Sequence, residues 1–243
     1  MSAGDIRFIL GGDMDSKDYE EIYTNEAQRY QQLVSREDYQ GNILQALEEI
    51  GDLDGRVVVE PGAGTGRLTK LLAPRVSAVY GFDISPAMLG EADNVLRGGP
   101  ERNWALAVAD HRNLPLPAYS ADLIVSGWSL CYLALDQPGP WREPLRAVFA
   151  RFEEILRPGG RMIILETMGT GFTTPHPPDF MLDYYAFLEE LGFESTWIRT
   201  DYRFDSPEEA QTLSRFFFGD ELGDQVAESG STILPECTGI WWK

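Results

Sequence analysis

The chain has 243 residues, enough for one large α/β domain with a sizeable core and too few for two ordinary ones. Its 20 Lys and Arg face 39 Asp and Glu, a formal charge of −19 with no basic run, so the field of the whole molecule repels nucleic acid and anionic membranes. No apolar run reaches the roughly 18 residues of a membrane span, and the opening MSAGDIRFILGGDMD is too short and acidic for a signal peptide, which leaves a cytoplasmic protein as the expectation. Cys131 and Cys237 stand in no CxxC pair and His111 and His176 are isolated, so no metal site is expected.

In chain order, residues 1–52 read as a helical lid ahead of a core spanning 53–243. Ile43, Leu47 and Ile50 share one helical face that ends at Gly51, and the segment concentrates Tyr19, Tyr23, Tyr30 and Tyr39. Short apolar runs then alternate with helical patterns, the signature of βα units around a mostly parallel sheet. Strands are expected near Arg56–Glu60, Ala78–Asp83, Trp104–Ala109, Ala121–Gly127 and Arg161–Thr167, with two more near Phe193–Phe204 and Thr232–Trp242. A helix opens at Gly66, and a second has Ser85 as its N-cap with Pro86 in its first turn. Trp141–Leu156 carries a one-sided apolar stripe that stops at Pro158-Gly159-Gly160, and Ser206-Pro207-Glu208-Glu209 is a capping box opening a helix toward Phe218.

The first strand runs into Glu60-Pro61-Gly62-Ala63-Gly64-Thr65-Gly66. Alternate glycines let the backbone turn tightly and approach a ligand with no Cβ in the way, at the strand end where open α/β sheets bind ligands. A dinucleotide site would use GxGxxG with a pyrophosphate on the helix N-terminus. Here the spacing is GxGxG and a carboxylate, Glu60, sits at the strand's end, which suits a cationic ligand. S-adenosylmethionine (SAM), with an ammonium, a sulfonium and no phosphate, fits that charge. Asp83 ends the second strand, where a carboxylate can accept ribose hydroxyls, and Asp110 ends the third, where it can accept from an adenine amino group.

Through VVVEPGAGTGRLT, VYGFDISPAML, AVADHRNLPLP, ADLIVSGWSLCYL and LRPGGRMIILE, the chain resembles the class I SAM-dependent methyltransferases of small molecules (the methyltransferase-11/25, ubiquinone-biosynthesis-like group) over roughly Leu53–Thr167. The resemblance implies a Rossmann-like α/β fold: a seven-stranded, mostly parallel sheet of order 3-2-1-4-5-7-6, its last strand antiparallel, with helices on both faces. It implies that Glu60, Gly62, Ala63 and Gly64 line the methionine end of SAM. Asp83 and Ile84 would hold the ribose, Met88 would pack on the adenine, and Asp110 and His111 would meet its edge. Ser126, Gly127 and Trp128 would lie near the sulfonium. The sequence departs from the common pattern at His111, where a small residue is usual, and at Trp128, where a small or polar one often follows the strand.

Methyl transfer from a sulfonium needs chiefly alignment and exclusion of water, so the lack of an obvious catalytic dyad does not argue against an enzyme. Glu166, ending the fifth strand, and His176, in the Pro-rich loop Thr173–Pro178, are the candidates for a base. Tyr23, Tyr30 and Tyr132 are candidates for the substrate and lid surface, and the rings of Tyr30, Trp128 or Tyr132 could face the sulfonium. Enzymes that methylate nucleic-acid bases carry an Asn/Asp-Pro-Pro-aromatic run or a Pro-Cys after strand four. Here Ser126-Gly127-Trp128-Ser129-Leu130-Cys131 has neither, and Cys131 reads as a buried small hydrophobe. The expected function is transfer of a methyl group from SAM, with S-adenosylhomocysteine (SAH) as product, to O or N of a small, partly apolar, neutral or cationic acceptor. The acceptor-specific regions are the N-terminal helices, the loop Gly169–Asp179 and the segment up to Phe187. The expected partners are that acceptor and no nucleic acid or membrane, in a monomer or homodimer. A SAM-binding sensor or subunit without turnover, or a nucleotide-dependent reductase, are the alternatives.

Overall fold

The computed structural model of the chain describes residues 16–135 and 139–243; the acidic opening stretch read above lies outside the described residues. Seven strands form one sheet: β1 (Val57–Pro61), β2 (Ala78–Asp83), β3 (Trp104–Val108), β4 (Ala121–Gly127), β5 (Leu156–Thr170), β6 (Glu194–Arg199) and β9 (Glu236–Trp242). Their spatial order is β3-β2-β1-β4-β5-β9-β6, and β9 runs antiparallel to both of its neighbours. Setting aside the two-stranded ribbon of β7 (Tyr202–Arg203) and β8 (Ile233–Leu234), this is the expected 3-2-1-4-5-7-6 arrangement.

Alternation along buried strands splits the core into two layers. Leu123 and Val125 of β4, Ile163 and Leu165 of β5 and Ile240 of β9 face α3 (Asn42–Ile50) and α4 (Arg67–Leu72). Ile124, Met162, Ile164 and Trp241 point the other way, toward α7 (Arg142–Ile155) and α8 (Leu182–Glu190). The stripe on α7 is as read, with Leu145, Val148, Phe149, Phe152 and Ile155 all buried. The helix ends one residue earlier than expected, because Leu156 is already extended and pairs with Ala121. The Pro158-Gly159-Gly160 turn therefore lies inside β5, as an irregularity in the register before Arg161 pairs with Leu123.

Both of the last two expected strands are broken. Phe193–Phe204 divides at Thr200-Asp201, where the Asp201 carboxylate accepts a hydrogen bond from the Glu236 N–H (3.0 Å) and ion-pairs with Arg199 (2.7 Å). Thr232–Trp242 divides at Pro235, which has no N–H to continue a ladder. The chain between β6 and β9 thus leaves the sheet and builds β7, α9 (Pro207–Phe218), α10 (Asp220–Ser229) and β8. The Ser206 hydroxyl caps α9 by accepting from the Glu209 N–H at 3.2 Å.

This insertion and the N-terminal helices α1 (Ser16–Asn25) and α2 (Ala27–Val34) share a third hydrophobic cluster, with Tyr19, Ile22 and Leu33 from one side and Leu213, Phe217, Phe218 and Leu222 from the other. The cap over the site is therefore made of two distant stretches of chain. The third N-terminal helix, α3, is a layer of the core instead: Ile43 and Leu47 pack with sheet residues.

Candidate active site

The loop after β1 is shaped by its glycines. Gly62, Gly64 and Gly66 all have positive φ (75°, 55° and 84°), and the Gly62 and Ala63 N–H groups both donate to the Phe82 carbonyl at 2.7 and 2.9 Å. A methyl group added at Gly62 would overlap the Ser129 side chain and stand 3.2 Å from His111 Cε1; one added at Gly64 would meet only Met88 Cε, at 3.6 Å. The loop is thus wedged between the ends of β3 and β4 at Gly62 and open at Gly64.

Asp83 braces it. One carboxylate oxygen accepts from the Gly64 N–H and the other from the Ser85 N–H, both at 2.8 Å, and burial raises its pKa. The Ser85 hydroxyl caps α5 (Pro86–Arg97) by accepting from the Met88 N–H and donates to the Tyr23 carbonyl at 2.8 Å, tying the cap to the loop. Met88 is buried beside the loop, whereas Ile84 is 67% exposed. On the far side, the Ser126 hydroxyl donates to the Pro61 carbonyl (2.9 Å) and lies 2.9 Å from the Ser129 hydroxyl.

Glu60, 1% exposed, faces this loop with a hydrogen bond from the Thr69 hydroxyl, and burial pushes its pKa up to about 8. A cleft of about 290 Å³ is lined by Glu60, Gly62, Ala63, Gly64, Thr65, Arg67, Gly127 and Trp128, with Tyr30 and Val34 of the cap above. Two buried polar atoms border this region without a hydrogen-bond partner: Thr65 Oγ1 in the cleft and His111 Nδ1 beside Gly62. Burial holds His111 neutral, its pKa lowered to about 4.

Asp110 behaves differently from the expectation for it. Its carboxylate caps the short turn His111–Asn113 and is clasped by Arg112, whose N–H and Nε both donate to Oδ1 at 2.8 Å while Nη2 takes Oδ2. That ion pair holds its pKa down, and its polar capacity is largely spent within its own turn.

Beyond Trp128 the cleft opens into a larger chamber of about 580 Å³, sharing Tyr30, Val34, Arg67 and Trp128 as a common wall. Arg67 ion-pairs with Glu37 and lies over the Trp128 ring, 3.7 Å from its centroid. Trp128 has φ +50°, an uncommon conformation for a bulky residue, fixed by its N–H donating to the Leu165 carbonyl at 2.7 Å. Tyr23 and Tyr132 line the chamber with their hydroxyls 2.8 Å apart, and burial raises both pKa values, so both are neutral.

Glu166 lines the chamber, 1% exposed. It accepts from the Cys131 N–H and the Tyr184 hydroxyl, each at 3.2 Å, and burial pushes its pKa up to about 7. His176 is not brought there: it is exposed, stacked on Phe172 at 4.1 Å between ring centroids, with its N–H bonded to Met168. Of the loop Gly169–Asp179, only Thr170 reaches the chamber wall.

The sequence reading passed over Glu37, Arg67 and Glu236. Glu236, at the start of β9, is 2% exposed on the chamber wall, and burial raises its pKa to about 7. The visible signal was an acid directly after a proline at the head of an otherwise apolar run.

A family model described as a methyltransferase domain matches residues 59–164, from β1 into β5. A malonyl-[acyl-carrier protein] O-methyltransferase from Xylella fastidiosa is 33% identical over 136 residues, 54% of this chain and 41% of that protein. A demethylmenaquinone methyltransferase from Tropheryma whipplei is 30% identical over 140 residues, 58% of this chain and 51% of that protein. The chain thus spans about half the length of these curated relatives. A SAM-dependent methyltransferase from Aquifex aeolicus shares the fold with a TM-score of 0.54 at 15% identity, over 94% of this chain and 97% of that one. Residues 59–164, less than half of the chain, are thus similar to a methyltransferase domain, and the fold is shared well beyond that segment. The matched segment supplies the glycine loop, Asp83 and the end of β4, whereas Tyr23, Tyr30, Glu37, Phe217 and Glu236 of the chamber lie outside it.

Three carboxyls with pKa values raised to about 7 or above set an expected pH dependence of stability near neutrality. Glu60, Glu166 and Glu236 hold their protons in the folded chain to about pH 8, 7 and 7, whereas an unfolded glutamate loses its own near 4.5. Between those limits the folded state binds more protons than the unfolded, so stability falls as pH rises. His111 acts in the other direction, below its unfolded value of 6.5. The melting temperature should therefore drop between about pH 6.5 and about pH 8. A rise over that interval, followed by circular dichroism, would contradict these three assignments.

Proposed function

We propose that the chain transfers the methyl group of SAM to an oxygen or nitrogen of a small molecule held in the chamber. The observation that carries this reading is that the glycine-loop cleft adjoins a chamber rich in aromatic side chains across the shared wall of Arg67 and Trp128.

The residues present fit SAM. Glu60 offers a buried carboxyl that an ammonium beside it would draw into its charged form, and the unpartnered Thr65 hydroxyl lies in the same cleft. The backbone is open at Gly64, which leaves room for the methionine end beside Gly62 and Ala63 on the cleft wall. Asp83 and Ile84 are the candidates for the ribose, with Met88 beneath the adenine. His111, with its unpartnered Nδ1, is better placed for the adenine edge than Asp110, which Arg112 occupies. Trp128, on the wall shared by cleft and chamber, and Gly127 of the cleft would flank the sulfonium, with the buried Ser126 behind them bonded to the Pro61 carbonyl.

When bound, SAM supplies an electrophilic methyl group, whose bond to sulfur breaks as the acceptor's lone pair forms the new bond. The chain's own residues align the acceptor and keep water out: Tyr23, Tyr30 and Tyr132 close the chamber beneath the cap, and Met181, Phe217 and Phe218 make its walls apolar. For an acceptor that must lose a proton, Glu166 is one candidate to take it, since its pKa lies near neutrality.

The test is transfer of labelled methyl from SAM into pools of small molecules and of RNA. Label is expected in the small-molecule pool alone; robust transfer to RNA would overturn the reading.

A further inference from the structure

We propose that the chamber selects an acceptor bearing a protonated amine, and that the carboxylate of Glu236 anchors that group; this rests on the methyltransferase reading above. The chamber wall leaves a buried acceptor unsatisfied. Glu236 is almost fully buried. Its Oε1 accepts from the Thr167 hydroxyl at 2.8 Å, and its Oε2 has no hydrogen-bond partner. A buried acceptor atom left unpaired is costly, and the cost is recovered when a ligand supplies a donor.

The charge balance says what kind of donor. Among the described residues, three acids, Glu37, Glu166 and Glu236, line the chamber with a single guanidinium, Arg67. Arg67 is already engaged by Glu37 on one side and by the Trp128 ring on the other. Glu166 is already served by the Cys131 N–H and the Tyr184 hydroxyl. Glu236 therefore keeps a buried oxygen without a donor and feels the charge of Arg67 only as shared with Glu37, whose own Oε1 is a second open acceptor on the same wall. An anionic ligand would meet an excess of like charge there. A neutral alcohol could give one hydrogen bond but no charge. An ammonium gives several donors and the missing positive charge. The rings of Tyr30, Trp128 and Phe217 around the chamber favour a cation with an apolar or aromatic body.

The experiment loads the protein with SAH and titrates it, by calorimetry, with three molecules of one shape: phenethylamine, phenylethanol and phenylacetate. The amine is expected to bind at least roughly tenfold tighter than the alcohol, the factor that a charge-assisted hydrogen bond supplies. In Glu236→Gln, which keeps an oxygen for the Thr167 hydroxyl, the preference should shrink to roughly twofold or less. Equal binding of amine and alcohol, a preference for the acid, or no binding of the amine would overturn the inference. So would an undiminished amine preference in Glu236→Gln, and if that variant fails to fold the native series alone decides. Failure to bind SAH at the loading step would instead sink the methyltransferase reading.

Discussion

Asp83→Ala is expected to weaken SAM binding by roughly a hundredfold, the loss of two hydrogen bonds to a charged group, with the domain still folded. Two roles meet in this carboxylate. In the proposed binding mode it is the acceptor offered to the ribose, and it holds the Gly64 N–H at 2.8 Å so that the loop keeps its course. Folding loses less than the hydrogen bonds suggest. The carboxylate is partly desolvated, which raises its pKa and shows that burying its charge already works against the folded state. Its loop-end N–H partners can turn to water once the side chain is gone. Asp83→Asn sharpens the test: the amide keeps one accepting oxygen but aims an N–H₂ at either Gly64 or Ser85, so it should not rescue affinity. Affinity measured by calorimetry, beside the melting temperature, separates these effects. Unchanged affinity in Asp83→Ala would show that the cofactor lies elsewhere.

The second large effect concerns Gly62 against Gly64. Both have positive φ, and alanine in that region costs roughly 1–2 kcal/mol at either site. Gly64→Ala adds little more, since its new methyl would find only the flexible end of Met88 at 3.6 Å. At Gly62 the methyl would overlap Ser129, whose hydroxyl is bound to the Pro61 carbonyl (3.2 Å) and to Ser126 (2.9 Å). Expelling Ser129 breaks that link between the loop and the end of β4, so a total of about 3 kcal/mol or more is expected. For a chain of this length that is a drop of roughly 10 °C in melting temperature for Gly62→Ala, against less than about 5 °C for Gly64→Ala. Thermal melts that place the two variants together would contradict the close approach at Gly62.

These two residues also show what was legible in the sequence. Glycine spacing after an apolar strand, and acids ending the first two strands, report local requirements, so the β1 loop, Glu60 and Asp83 could be read from residue types alone. The Ser85 and Ser206 caps were legible for the same reason: a hydroxyl three residues before the N–H it accepts from is a local pattern. Asp110 shows the reverse. Its position on the third strand matched a cofactor role, but Arg112 two residues on competes for it, and that competition is visible only in three dimensions.

The chamber was least legible because its walls are brought together by topology. Glu236 reaches it only because β9 is inserted between β5 and β6 and begins where Pro235 ends the ribbon. Phe217 and Phe218 arrive from an insertion whose helix was foreseen but whose place above the sheet was not. His176 looked promising for its chemistry and stands outside, stacked on Phe172.

The central claim is that the cleft beside Glu60 and Asp83 holds a phosphate-free, cationic adenosine ligand. Calorimetric titration of the purified chain with SAM, SAH and NADH tests it most directly. One equivalent of SAM or SAH should bind, and NADH should give no heat of binding. Saturable binding of NADH with none of SAM would contradict the account.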